Sequence, residues 1–280
     1  MRRRLFVVFF SLGSVHEDSS NMAAKDTHGS RIISLFNQSG GVGKSTLTMN
    51  LGYHLALRSH RVLLMDLDPQ SSLTTFMGLE PLEIEKTLYD ALLEDELLPI
   101  QQDIHGVDLA PANINLSGAE LELVTADMRE QRMKDAIAPI QEQYDFILID
   151  CPPSLGILSY ISLVASTHVL IPIQTQYKAF QGTDLLFRTI KRVRARPNRQ
   201  LKIAGYLPTM FAKANSQDQR ILKAIQDQFA EVEGIIFPEI PRTTAFADAA
   251  EKHIPLALHN PKHPAVTVLE TIAEILEGIK

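Results

Sequence analysis

The stretch Ile32-Ile33-Ser34-Leu35-Phe36-Asn37-Gln38-Ser39-Gly40-Gly41-Val42-Gly43-Lys44-Ser45-Thr46 decides the architecture. Its first five residues form a short apolar, β-branched run, and beyond the glycines Leu47, Leu51 and Leu55 recur at helical spacing. The order is strand, glycine-rich loop, helix. Glycines at 40, 41 and 43 let a backbone curl with its N–H groups pointing inward, a conformation that is cheap only without a Cβ. Such a loop at the start of a helix is an anion cradle, because the positive end of the helix dipole faces the same point. Lys44 adds a mobile cation suited to the outer phosphate oxygens of a nucleotide, and Ser45 a hydroxyl suited to Mg²⁺. In this strand-to-helix context the pattern predicts ATP and Mg²⁺ as cofactors, with the phosphates held by Gly40, Gly41, Val42, Gly43, Lys44, Ser45 and Thr46.

Outward from the loop the same alternation continues. Residues 62–65, 107–110, 146–149, 169–173, 203–207 and 235–237 read as strands, and 88–93, 116–133, 182–193 and 217–229 as helices. Strands that are apolar throughout are expected where helices cover both faces of a sheet. The fold class predicted is α/β, a doubly wound and mostly parallel sheet with ligands at the C-terminal ends of its strands.

The 280 residues, 45% apolar and 21% charged, suit one ordinary globular core, and no low-complexity linker interrupts the pattern, so residues 31–280 are expected to form a single domain. Residues 1–30 read as a disordered or mis-started leader, with Met22 as an alternative start. Arg2, Arg3 and Arg4 before the apolar residues 5–10 look like the opening of a secretory signal, but the apolar run is short and no small-x-small site follows. A single cysteine, Cys151, excludes a disulfide framework and fits a reducing, cytoplasmic compartment. No run reaches the ~20 apolar residues of a membrane span.

A strict phosphate-loop motif has glycine five residues before Gly43, where this chain has Gln38. With that departure, the run Gly40 to Thr46, Asp66-Leu67-Asp68-Pro69-Gln70 and the segment from Phe146 through Asp150-Cys151-Pro152-Pro153-Ser154 resemble the successive motifs of the ParA/MinD family of deviant Walker ATPases, on its ParA branch. Pro172-Ile173-Gln174 and Ile240-Pro241-Arg242 resemble its later motifs. The likeness runs from about Ile32 to the C-terminus and implies a P-loop fold. It further implies that Asp68 positions the attacking water and that Asp66 shapes the Mg²⁺ surroundings; the plainer reading of Asp66 is a cap on the next helix. Asp150, ending an apolar strand, is the natural outer-sphere partner of Mg²⁺. Met210, Pro241 and Arg242 match where the family lines the adenine. Cys151 has no neighbouring base in the sequence to make it reactive.

The family's signature is a second lysine directly before the paired glycines, which crosses an ATP-bound sandwich dimer to the partner's phosphates; here that position is Ser39. Lys178, in the segment after the strand at 169–173, is the candidate replacement for that catalytic cation, against the reading that it is a solvated surface lysine. Loss of one lysine with gain of another resembles the McdA-type subgroup that positions carboxysomes.

Charge supplies the remaining expectations. The formal net charge of -6 leaves room only for a local basic surface. The run Lys191, Arg192, Arg194, Arg196, Arg199 and Lys202, extended by Lys213 and Arg220, reads either as a solvated face or as a site for nonspecific nucleoid DNA, which the resemblance favours. The resemblance thus implies an ATP-gated homodimer that binds DNA and is controlled by a cargo-linked adaptor protein. The competing class is an ATP-dependent biosynthetic enzyme or carrier of the wider superfamily. Iron–sulfur carriers and reductases need cysteines that are absent, and an amide-forming cobyrinate synthase would usually carry a glutaminase domain for which this length leaves no room. Glu270, Glu274 and Glu277 make the C-terminal segment a poor ligand for an anionic bilayer and a better packed final helix.

Overall fold

Strand β1 (Arg31–Leu35) is buried from Ile32 onward, and β2 (Val62–Asp66) and β5 (Phe146–Asp150) are buried throughout, as strands covered on both faces must be. The computed structural model describes residues 29–176, 183–230 and 232–279. The remaining strands are β3 (Gln101–Ile104), β4 (Val107–Ala110), β6 (His168–Gln174), β7 (Lys202–Thr209) and β8 (Ile235–Ile236). They form one eight-stranded sheet in the order β3-β4-β2-β5-β1-β6-β7-β8. All neighbours pair in parallel except β3 and β4, which are antiparallel.

Helices cover both faces. On one lie α1 (Lys44–Leu57) and, among the later helices, α9 (Ala245–Glu251), α10 (Leu256–His259) and α11 (Pro264–Gly278). The C-terminal segment is thus a packed helix: Ala265, Leu269, Ile272 and Leu276, spaced at three and four residues, are buried in the same core as Leu47, Leu51 and Leu55 of α1. Gly52 lets α1 lie close on the sheet, since a Cβ there would fall 2.5 Å from Leu64 Cδ2. The short α2 (Ser72–Phe76) follows β2. The opposite face carries α3 (Leu88–Leu93), α4 (Leu116–Thr125), α5 (Arg132–Ile137), α6 (Ile157–Ala165), α7 (Thr183–Ala195) and α8 (Ser216–Phe229).

Three sequence expectations change. The helix expected at 116–133 is two, α4 and α5, with Ala126 extended and Met128 at φ 52 between them. The turn lets both pieces pack against α3 and α6, which a straight helix of that length could not do. Strand β3 was not anticipated: Gln101, Gln102 and Asp103 are exposed, and an edge strand with polar side chains carries no apolar signal. Strand β8 stops at Ile236. Among the described residues no helix is long and apolar enough to cross a membrane.

Candidate nucleotide-binding site

The strand register brings the site together. Asp150 pairs with Leu35 on one side and Asp66 on the other, so two carboxylates and the start of the glycine loop leave neighbouring strands at one level. This is the C-terminal edge, where β1 lies between strands whose connections run in opposite directions, the usual crevice for a ligand in an open α/β sheet.

In the loop, Gly41 and Gly43 have φ of 72° and 92°, conformations that a side chain would strain. Gly40 is different: it is not at positive φ, and a Cβ there would meet only Pro153 Cβ at 3.8 Å, an ordinary contact. The backbone therefore requires two of the three glycines. Asn37 anchors the loop, its amide donating to the Pro172 carbonyl at 2.7 Å and its Oδ1 accepting from Ser39 N–H at 2.8 Å. Lys44 Nζ donates to the carbonyls of Asn37 and Ser39 at 3.0 and 3.1 Å, folded back over the cradle. Burial lowers its pKa, against the attraction of Asp150, Cys151 and Asp68.

The three carboxylates are held differently. Both oxygens of Asp66 are engaged, Oδ1 by Asp68 N–H at 3.1 Å and Oδ2 by the Thr74 N–H and hydroxyl at 2.8 and 2.7 Å. Asp66 therefore ties β2 to α2, the capping role that stood as its plainer reading. Burial pushes its pKa up to about 6 in spite of those bonds. Asp68 accepts from Gln70 N–H at 3.0 Å, and its pKa is raised by burial while Lys44 opposes the rise.

Asp150 is fully buried and neither of its oxygens has a hydrogen-bond partner among the described residues. Burial and the neighbouring Asp66 hold its pKa well above the carboxylate range, while Ser45, close enough to pull it down but outside hydrogen-bond geometry, and Lys44 oppose them. A buried carboxylate without partners beside a serine hydroxyl fits a hard cation. Among the described residues no three His, Cys, Asp or Glu side chains form a metal cage, so such a cation would take its other ligands from phosphate and water. Cys151 is inert: its buried thiol lies 3.1 Å from the Ser162 hydroxyl and burial pushes its pKa up to about 12.

Beside the loop lies a cavity of about 290 Å³ where Val42, Gly43 and Thr46 meet Met210, Pro241 and Arg242. Backbone bonds from Phe211 N to Ile240 O and from Arg242 N to Phe211 O align the late segment along the end of β7. Phe76, Phe246 and Ala250 also line the cavity, and the sequence had offered no signal for them, since they come from two short helices, Phe76 from α2 and the other two from α9. Thr209, whose buried hydroxyl has no partner among the described residues, also lines it. Arg242 reaches Asp218 at 3.2 Å, which fastens the first turn of α8 to the cavity rim.

The basic residues do not form one patch. Lys191, Arg192, Arg196 and Arg199 lie on α7 and the turn after it, at the end of the sheet where β7 begins. Lys213 and Arg220 lie past the far end of β7, an eight-residue strand of about 25 Å, and so do not extend that run. They sit at the nucleotide-loop edge. Arg194 is used internally, paired with Glu233 at 2.7 Å and donating to the Leu201 carbonyl at 2.7 Å. Lys178 lies outside the described residues.

The AAA domain family AAA_31 matches residues 30–203. The chain is 36% identical over 247 residues to the sporulation initiation inhibitor protein Soj of Bacillus subtilis, covering 87% of this chain and 97% of that protein. It is 39% identical over 238 residues to the chromosome partitioning protein ParA of Myxococcus xanthus, covering 83% and 82% of the two. Among solved structures, it is similar to a cobyrinic acid a,c-diamide synthase from Mycobacterium smegmatis with bound ADP and magnesium, at TM-score 0.78 and 32% identity over 89% of this chain and 94% of that one. It is also similar to the ATP complex of a Cyanothece McdA variant, at TM-score 0.78 and 25% identity over 90% and 98%.

Proposed function

Because the chain belongs to the ParA/Soj family of P-loop ATPases, we propose that it binds Mg-ATP at the loop of Gly40 to Thr46 and partitions a cargo by cycles of ATP-dependent dimerisation and hydrolysis. One observation carries the nucleotide assignment: the partnerless, buried Asp150 stands beside Ser45 and Lys44 at the mouth of the glycine loop. Magnesium supplies charge neutralisation to the phosphates when bound. Ser45 and Asp150 would hold it, Asp150 through water, with Asp66 fixing the switch segment around it. Lys44 exchanges its loop carbonyls for phosphate oxygens, and Asp68 orients the attacking water. Met210, Pro241 and Arg242 would flank the base.

In this reading the protein is cytoplasmic and nucleoid-associated, its ATP dimer holds DNA without sequence preference, and an adaptor on the cargo stimulates a slow hydrolysis. Lys178 supplies the trans cation that Ser39 lacks. Identities of 36% and 39% to Soj and to a chromosome partitioning ParA, against 25% to McdA, support a chromosome cargo over a carboxysome. The synthase likeness keeps cobyrinate amidation as the second reading, and length does not separate the two, because this chain covers 94% of that synthase chain.

The test is hydrolysis and dimerisation measured together. Lys44→Gln is expected to lose ATP binding, and Asp68→Ala to accumulate an ATP-bound dimer that fails to turn over. Unchanged nucleotide affinity in Lys44→Gln would sink the site, and ATP-dependent amidation of a cobyrinate substrate would establish the second reading.

A further inference from the structure

A groove of about 560 Å³ lies away from the nucleotide, between α6, α7 and the link from α4 to α5. Leu155, Ile157 and Tyr160 form its floor, partly buried against the core. Val124 and Leu185 form its sides and are 55% and 54% exposed, with Leu121, one turn before Val124 on α4, at 77%. Single exposed apolar side chains are ordinary, but several around one concave surface mark a place that another molecule covers.

Three arginines, Arg129, Arg188 and Arg192, line the same groove. None of them forms a salt bridge among the described residues; Arg129 donates to the Val124 carbonyl, and Arg188 and Arg192 are exposed. Glu130 is the one carboxylate in the lining, so the rim is net positive. Leu155 follows Pro153, which lies against Gly40, and Asp150 is five residues before it in the same connection. What fills the groove therefore bears on the loop that carries Asp150.

Resting on the partitioning reading above, we propose that this groove docks an amphipathic helix of the stimulating partner protein, apolar on one face and flanked by acidic residues. Two neighbouring helices with an apolar floor between them accept a third helix by ridge-in-groove packing, and the arginine rim selects its charge. A nucleic-acid backbone would pair with the arginines but leave Val124 and Leu185 in water, so the apolar component favours a protein. Arg192 then belongs to this groove and not to a DNA face.

The test uses the full chain and a labelled synthetic helix with leucines at i, i+3, i+4 and i+7 flanked by glutamates, read by fluorescence anisotropy. Wild type should bind it, and Arg188→Glu and Leu185→Asp should each weaken binding by about tenfold, with ATP affinity unchanged as the check on folding. The same helix with lysines for glutamates should not bind. The proposal is overturned if wild type binds no acidic helix, if the lysine version binds equally, if both variants bind as wild type does, or if duplex DNA alone displaces a probe from the groove. Hydrolysis measured on the same wild-type sample keeps the two ideas apart: absent ATPase activity removes the partitioning reading, whereas active ATPase without peptide binding removes the groove alone.

Discussion

Asp66 Oδ2 accepts from both the N–H and the hydroxyl of Thr74, at 2.8 and 2.7 Å, and the Thr74 hydroxyl in turn accepts from Ala112 N–H at 3.0 Å. One buried threonine thereby links the ends of β2 and β4 to the first turn of α2. The carboxylate that the family resemblance places near the metal is held by the fold itself.

Thr74→Val is expected to leave the Ala112 N–H without a partner and Asp66 Oδ2 with the Thr74 N–H alone, costing about 1–3 kcal/mol of stability. Urea unfolding measures it. Nucleotide affinity should fall less than stability does, because the phosphate loop is untouched; a variant as stable as wild type would show the link to be incidental.

Asp150→Asn separates the metal reading from a structural one. Asp150 is buried without hydrogen bonds and burial favours its uncharged form, so an amide in its place should not destabilise the nucleotide-free protein. Mg-ATP, which should raise the melting temperature of wild type through binding to the native state alone, should give little or no rise in the variant. Destabilisation of the free protein with an intact Mg-ATP response would assign Asp150 to the fold.

The sequence made the phosphate loop and the parallel strands readable because they depend on local features: glycines, a lysine and continuous apolar runs. Residues whose roles depend on distant partners were not readable. Arg194 looked like one more cation in a basic run, yet its partner Glu233 is 39 residues away and reaches it only through the pairing of β7 with its neighbours. Phe76 and Phe246 enter the nucleotide cavity from helices too short to show a period. The break between α4 and α5 falls in a stretch with neither glycine nor proline, the two strongest breakers, and the lone Asp127 is too weak a turn signal to announce it.

Acid should loosen the clamp between the first and last helices. Glu277 of α11 meets His60 Nε2 at 2.8 Å and Arg58 Nε at 2.7 Å, just past the end of α1. Burial would raise its pKa, but the bonds from His60 and Arg58 outweigh that and hold it below the ordinary 4.5. A carboxyl with a depressed folded pKa contributes stability above its unfolded pKa and loses it as pH falls through the folded value. Glu277→Gln should therefore cost less than about 1 kcal/mol at neutral pH, as expected for a partly exposed pair, and the difference from wild type should shrink below pH ~4.5. A difference that persists unchanged at pH ~3 would point to packing instead of charge.

In the proposed function, nucleotide control of DNA binding should depend on Lys213 and Arg220 more than on Arg196 and Arg199. The two pairs lie at opposite ends of β7, and only the first is joined to the nucleotide cavity, through the bond from Arg242 to Asp218 on α8 and the bond from Ala212 N–H to the same carboxylate oxygen at 2.8 Å. A change in the cavity rim reaches Lys213 and Arg220 through one ion pair, whereas among the described residues the turn after α7 has no such route. Charge reversal at Lys213 and Arg220 should lower ATP-dependent retention of duplex DNA and reduce the log–log salt slope by about 2, one unit for each phosphate that is no longer neutralised. ATP affinity should stay as in wild type. Reversal at Arg196 and Arg199 should leave the ATP dependence of retention in place, even where overall affinity drops with the removal of nearby positive charge. The opposite result, with ATP-dependent retention abolished only in the Arg196 and Arg199 variant, would place the DNA on the α7 end of the sheet and require a different route from the nucleotide.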